Sequence, residues 1–160
     1  MLRNLIVLVH NIYSVTRLIE AVKLAYSFGI EKFIVTRAIG AAAQEAYPEA
    51  CKIALRLNRS ILFLRDLQDV IETIKPEVAI GIVPPRYANN LFSEEEVVKK
   101  LLEGKIVLLA FGGGEPGFTR KDLELLDART LDVPPDIPNL GLMAITLYKV
   151  TREYHRRVRG

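Results

Sequence analysis

Six short apolar runs alternate with segments of helical periodicity along this chain, and that alternation limits the fold more than any other feature. Leu5 to Val9 is a continuous run of strand length, and Val15, Ile19, Val22 and Tyr26 mark one face of a helix that Gly29 ends. Phe33-Ile34-Val35 predicts a second strand. An alanine-rich stretch from Ile39 through Ala50 to Leu57, with Pro48 as its main irregularity, predicts a second helix. Ile61 to Leu64 predicts a third strand, Leu67 to Ile74 a short helix stopped by Pro76, and Val78 to Val83 a fourth strand stopped by Pro84-Pro85. Ser93 and Glu96 have capping-box spacing for a helix reaching Leu102, and Gly104 turns the chain into a strand from Ile106 to Phe111. Leu123 to Leu126 reads as helical, Leu131 to Val133 as a last short strand, and Asn139 to about Tyr154 as a final amphipathic helix. Strands that are apolar on both faces, each followed by a helix, imply a parallel sheet covered on both sides: a three-layer α/β/α domain over residues 1–160.

Half of the 160 residues are apolar, enough for one buried core and far from the composition of disordered chains. The apolar runs are much shorter than the roughly 20 residues that cross a bilayer, and the run after Met1 is too short for a secretory leader. A cytoplasmic protein without a membrane partner is expected. Cys51 is the sole cysteine, which excludes an intramolecular disulfide and a cysteine zinc cluster, and predicts a buried, inert thiol. After Asp136 the only acidic residue is Glu153, against Lys149, Arg152, Arg156, Arg157 and Arg159. Such a cluster either neutralises phosphates or suits the negative pole of a helix end.

Gly112-Gly113-Gly114-Glu115-Pro116-Gly117 places four glycines in six residues directly after a strand, where backbone must pass close to something. Gly112, Gly114 and Gly117 satisfy the spacing of a dinucleotide fingerprint, with Asp132 further on, which keeps an oxidoreductase as one alternative. Against it, the fingerprint normally follows the first strand, and Pro116 leaves little room for the receiving helix. A phosphate-cradling loop fails because no Lys-Ser or Lys-Thr follows. Pro134, Pro135 and Pro138 stiffen the approach to the last helix, and Pro84-Pro85 stiffen the exit of the fourth strand. Three shaped loops at adjacent strand ends enclose a pocket. His10, after the first strand, stands without a partner pattern, and His155 among arginines reads as surface. Glu103-Gly104-Lys105 has the Glu-x-Lys spacing of a restriction-type nuclease, but it falls at a helix-to-strand turn, whereas that chemistry wants the pair on a strand with an upstream aspartate to bind magnesium, and it is set aside.

Three stretches, Asn11 to Arg17, Leu108 to Phe118 and Val133 to Tyr148, together resemble the SPOUT superfamily of RNA methyltransferases, its small archaeal-type SpoU-like subgroup in particular. Leu108 to Phe118 is similar to the motif of an apolar strand ending in Gly-x-Glu-x-Gly, filled by Gly113, Glu115 and Gly117. Val133-Pro134 to Asn139, running into Leu140 to Tyr148, resembles the last motif, although Ile137-Pro138 stands where Ser-Leu is usual. Asn11 to Arg17 followed by Phe28-Gly29-Ile30 resembles the first. The resemblance implies a deep trefoil knot in the C-terminal third and S-adenosylmethionine as cofactor, held by loops in roughly residues 80–142. The binding set it implies is Val83, Pro84, Phe111, Gly112, Gly113, Gly114, Val133, Ile137, Pro138 and Leu140. It also implies a homodimer through the first and last helices, an RNA partner (tRNA or rRNA), and catalytic roles for Asn11, Arg17, Glu115 and Asn139. Methyl transfer, of 2′-O-ribose type, is the activity expected; the departure at Ile137-Pro138 keeps a catalytically silent RNA-binding relative as the other alternative.

Overall fold

The computed structural model describes residues 2–114 and 117–160. Six parallel strands form one sheet in the order β3-β2-β1-β5-β4-β6. They are β1 (Leu5–Ile12), β2 (Lys32–Ala38), β3 (Ser60–Leu64), β4 (Val78–Ile82), β5 (Val107–Gly112) and β6 (Asp127–Arg129). The helices are α1 (Val15–Ser27), α2 (Ala41–Gln44), α3 (Ala46–Arg56), α4 (Leu67–Ile74), α5 (Glu94–Leu102), α6 (Arg120–Leu123) and α7 (Asn139–Arg159). The central strands β1 and β5 are buried on both faces, as parallel sheets between helices require. Alternate side chains of β1 feed different cores. Leu5, Val7 and Val9 join the larger one with Leu18, Val22, Val98, Leu142 and Val150, whereas Ile6 and Leu8 join the smaller one with Leu67, Val70 and Leu126. No helix among the described residues is long and apolar enough to cross a membrane.

Five sequence expectations shift. The alanine-rich helix breaks at Glu45, not at Pro48, because Pro48 lies in the first turn of α3, where its missing N–H costs nothing. The helical segment expected at Leu123 to Leu126 starts earlier, at Arg120, where the Thr119 side chain accepts from Asp122 N–H. The last strand is not Leu131 to Val133 but Asp127–Arg129, a polar edge segment paired with β4, which apolar periodicity cannot find. The final helix starts at Asn139 as expected, with Pro138 at the cap position, but runs past Tyr154 to Arg159. Cys51 on α3 is only partly buried.

Candidate functional site

Parallel strands that all point one way bring their carboxyl ends to one edge, where this chain gathers its polar residues. Two distinct places lie there. The first is a cavity of about 370 Å³ between β1, β5, α1 and α7, walled by Gly112, Gly113 and Gly114, by Pro138, Asn139 and Leu140, and by Arg17 and Glu20. The glycines are needed for close approach. A Cβ on Gly113 would stand 2.6 Å from Ile12 Cβ and 2.8 Å from the Asn11 carbonyl, and one on Gly112 would stand 2.7 Å from Gly117 Cα. Asn139 Nδ2 donates to the Gly114 carbonyl at 3.2 Å, tying the start of α7 to the glycine loop. Asn11, the residue before the last of β1, has φ 63°, and Arg17 sits exposed on α1. Val83 and Pro84 line an adjoining recess of about 40 Å³ together with Gly112 and Asn139. Phe111 is instead buried in the core, and Val133 and Ile137 are packed against it. Glu115 lies outside the described residues.

The second place is a cluster that the sequence did not single out. His10, on β1, is fully buried; its Nδ1 lies 2.7 Å from Thr36 Oγ1 on β2, and its Nε2 lies 3.1 Å from Asp122 Oδ2 on α6. Phe118 stacks on the imidazole face at 5.5 Å between ring centres. Arg37, in the left-handed region at φ 49°, turns its guanidinium onto Asp66, the N-cap of α4, with Nη2 donating to Oδ1 at 2.9 Å and Oδ2 at 3.0 Å. The same Nη2 is 3.6 Å from Asp122 Oδ1.

Burial pushes the His10 imidazole below its ordinary value, and the facing Asp122 carboxylate only partly offsets this, so the ring is neutral near pH 7. Burial alone would raise Asp122, but the Thr119 N–H, His10 and Arg37 together hold its carboxyl below the usual range. Asp66 follows the same logic, with burial opposed by hydrogen bonds from Arg37 and Leu67 N–H. One ligand atom from each of His10, Asp66 and Asp122 lies within 4.8 Å of the others. A cleft of about 430 Å³, lined in part by Arg37, Asp66, Thr119, Lys121 and Asp122, opens onto the cluster.

The signals for these residues are faint in a sequence. Thr36 and Arg37 follow an apolar run, Asp66 precedes a helix as a cap should, and Asp122 sits three residues after Thr119 in a four-residue helix. Glu103 and Lys105 pair with each other at 3.4 Å at the exit of α5, apart from this cluster.

A family profile described as RecB-family nuclease (DUF2122) matches residues 40–149. The chain is 38% identical over 113 residues to a candidate type II restriction enzyme of Aeropyrum pernix, covering 71% of this chain and 70% of that protein. It is 33% identical over 152 residues to a candidate type II restriction enzyme of Methanocaldococcus jannaschii, covering 95% and 99%. Among solved structures, the TrmH/SpoU tRNA modifying enzyme of A. aeolicus superposes with a TM-score of 0.71 at 14% identity, over 97% of this chain and 77% of that one. The SpoU methyltransferase AviRb of Streptomyces viridochromogenes, in complex with AdoMet, gives 0.70 at 14% identity, over 97% and 58%. The fold is therefore an α/β fold like that of these SpoU and TrmH proteins, in line with the resemblance carried by the three motifs. The activity expected from those motifs is corrected by the sequence relatives, which are described as nucleases and not as methyltransferases. The two alternatives, an oxidoreductase and a silent RNA-binding relative, do not fit them either. The physical reason is general: a fold fixes where strand ends meet, and the chemistry follows from the side chains placed there.

Proposed function

This chain belongs to the family described as RecB-family nuclease (DUF2122), and from that premise we propose that it hydrolyses phosphodiester bonds in nucleic acid at the His10, Asp66 and Asp122 cluster, with a divalent cation. The observation that carries the reading is the convergence of one imidazole and two ionised carboxylates beside an open cleft. A nitrogen and two carboxylate oxygens suit manganese or magnesium. Around an ion with bonds of about 2.1 Å, opposite ligand atoms stand roughly 4.2 Å apart, so the 4.8 Å spread suits such an ion once the Arg37 guanidinium swings off the two carboxylates.

When bound, such a cation would lower the pKa of an attacking water and offset charge on the phosphoryl oxygens. The protein's own groups do the rest. His10 would hold the cation through Nε2 in the tautomer whose Nδ1–H donates to Thr36 Oγ1, the contact that fixes the ring plane. Arg37 and Lys121 give the cleft two cations to draw in a phosphate. Asp122 is held in place by the Thr119 N–H at 2.9 Å.

Labelled single-stranded DNA, duplex DNA and RNA incubated with Mn²⁺ or Mg²⁺, with chelator as control, test the reading. Cleavage that depends on the cation and falls by orders of magnitude in Asp122→Asn and His10→Ala supports it; a cleavage rate unchanged in both variants sinks it.

A second reading concerns ligand binding alone. The superposition on AviRb with AdoMet supports S-adenosylmethionine as a ligand of the glycine-walled cavity, with Val83, Pro84, Gly112 to Gly114 and Pro138 to Leu140 around it. Threading of the C-terminal third as a trefoil knot, and pairing of two copies through α1 and α7, belong to the same reading. Calorimetric titration of the purified protein with S-adenosylmethionine checks the ligand, and heat no greater than dilution removes it.

A further inference from the structure

The basic C-terminus takes no part in the cleft just described. Tyr148, Arg152, His155 and Arg159 are spaced four, three and four residues apart, which puts them on one face of α7. With Thr151 and Arg156 they line an open groove of about 440 Å³, and no carboxylate is among the residues that line it. The acid within α7, Glu153, is nearly buried and turned aside; hydrogen bonds from Arg156 and Arg157 hold its pKa at about 2, so it stays ionised and fixes both guanidinium groups. Among the described residues Arg152 forms no ion pair, and it lies over the Tyr148 ring at 5.2 Å, while that ring is half exposed.

We propose that this face of α7 is a docking surface for a nucleic-acid strand, in which Arg152 and Arg159 contact phosphates and Tyr148 stacks on an unpaired base. The proposal rests on the reading that nucleic acid is the substrate. Charge complementarity argues for the backbone, since cations with no acid between them release counterions when a phosphate replaces the salt. The planar pair of ring and guanidinium argues for unpaired bases, because every base has a face that stacks on an aromatic. A helix of 21 residues is about 30 Å long. The groove therefore lies well along α7 from the strand ends, and its contribution is to affinity, not to bond cleavage.

The test uses full-length protein carrying Asp122→Asn, so that binding is read without cleavage. Anisotropy of a fluorescein-labelled single-stranded 20-mer is followed from 50 to 200 mM salt. Arg152→Ala/Arg159→Ala is expected to weaken binding about tenfold and to reduce the salt slope by about 1.4. Lys52→Ala/Arg56→Ala, which removes the same charge from α3, is the control and leaves binding unchanged. Tyr148→Phe retains affinity where Tyr148→Ala loses it.

The inference is overturned by equal weakening in the α3 control, by a salt slope that does not move, or by loss of binding that merely follows dissociation of a homodimer. If binding behaves as expected but no cation-dependent cleavage exists in the unsubstituted protein, the nuclease reading falls and the docking surface stands. If cleavage occurs and the arginine variant binds normally, the reverse holds.

Discussion

Arg37 Nη2 lies 2.9 and 3.0 Å from the two carboxylate oxygens of Asp66, so the guanidinium occupies the ground that a divalent cation would share. The same nitrogen reaches towards Asp122 at 3.6 Å. The pair is a third or more exposed on both sides, and its own contribution to stability is small, about 0–1 kcal/mol. Its effect on a cation is larger, because a positive charge already beside both carboxylates repels another. Arg37→Gln is expected to tighten Mn²⁺ binding by about tenfold, roughly 1.4 kcal/mol, in calorimetry. Equal or weaker affinity in the variant would show that the guanidinium does not compete.

Stability of the chelator-treated protein should depend on pH in a stated direction. The folded state holds His10 below its ordinary pKa of 6.5, so on acidification the unfolded chain takes up a proton before the folded one does. The unfolded state then binds more protons, and stability falls as pH drops below about 6.5, being fully present above it. Asp66 and Asp122, both held below 3.8, add a second loss at lower pH. Urea midpoints at pH 7.5 and 5.5 measure the first window; the midpoint should fall in the unsubstituted protein and fall less in His10→Gln.

Thr36 is completely buried, with its hydroxyl 2.7 Å from His10 Nδ1. Thr36→Val keeps the shape and strands the imidazole nitrogen, which costs about 1–3 kcal/mol. Thr36→Ser keeps the hydroxyl and loses only a methyl group. Chemical denaturation should rank the serine variant above the valine variant; the opposite order would show that methyl packing dominates this position.

Gly113 and Gly114 are neighbours with different tolerances. The added Cβ at Gly113 meets backbone and Cβ atoms at 2.6 to 2.9 Å, none of which can rotate away. At Gly114 the nearest atom is on the ring of Tyr13 at 3.1 Å, and that side chain is exposed. Gly113→Ala should therefore cost about 1–3 kcal/mol while Gly114→Ala costs well under that, as read from thermal midpoints. Equal midpoints would mean that the β1 end yields more easily than its packing suggests.

The alternation of elements was legible because a parallel sheet buries its strands on both faces, and such strands announce themselves as unbroken apolar runs. Leu5 to Val9 and Ile106 to Phe111 are of that kind. β6 was not, since Asp127-Ala128-Arg129 is an edge strand held by one neighbour and carries no apolar signature. The glycine-walled cavity was legible for the same reason that Gly113 is intolerant: clustered glycines mark close approach of backbone. The His10 cluster was hidden because its members are scattered over β1, β2, the start of α4 and α6. Asp66 and Asp122 look like ordinary helix-start residues, which they also are. Nothing in a linear reading connects His10 to a residue 112 positions away.

That separation bears on how the protein is made. His10, Thr36 and Asp66 all belong to the first half of the chain, and Asp122 to its last third. During synthesis, strands β1 to β3 leave the ribosome long before β5 and α6 are available to complete the sheet. A growing chain thus carries no assembled cluster beside the messenger and ribosomal RNA around it, and a polypeptide truncated before α6 never acquires one.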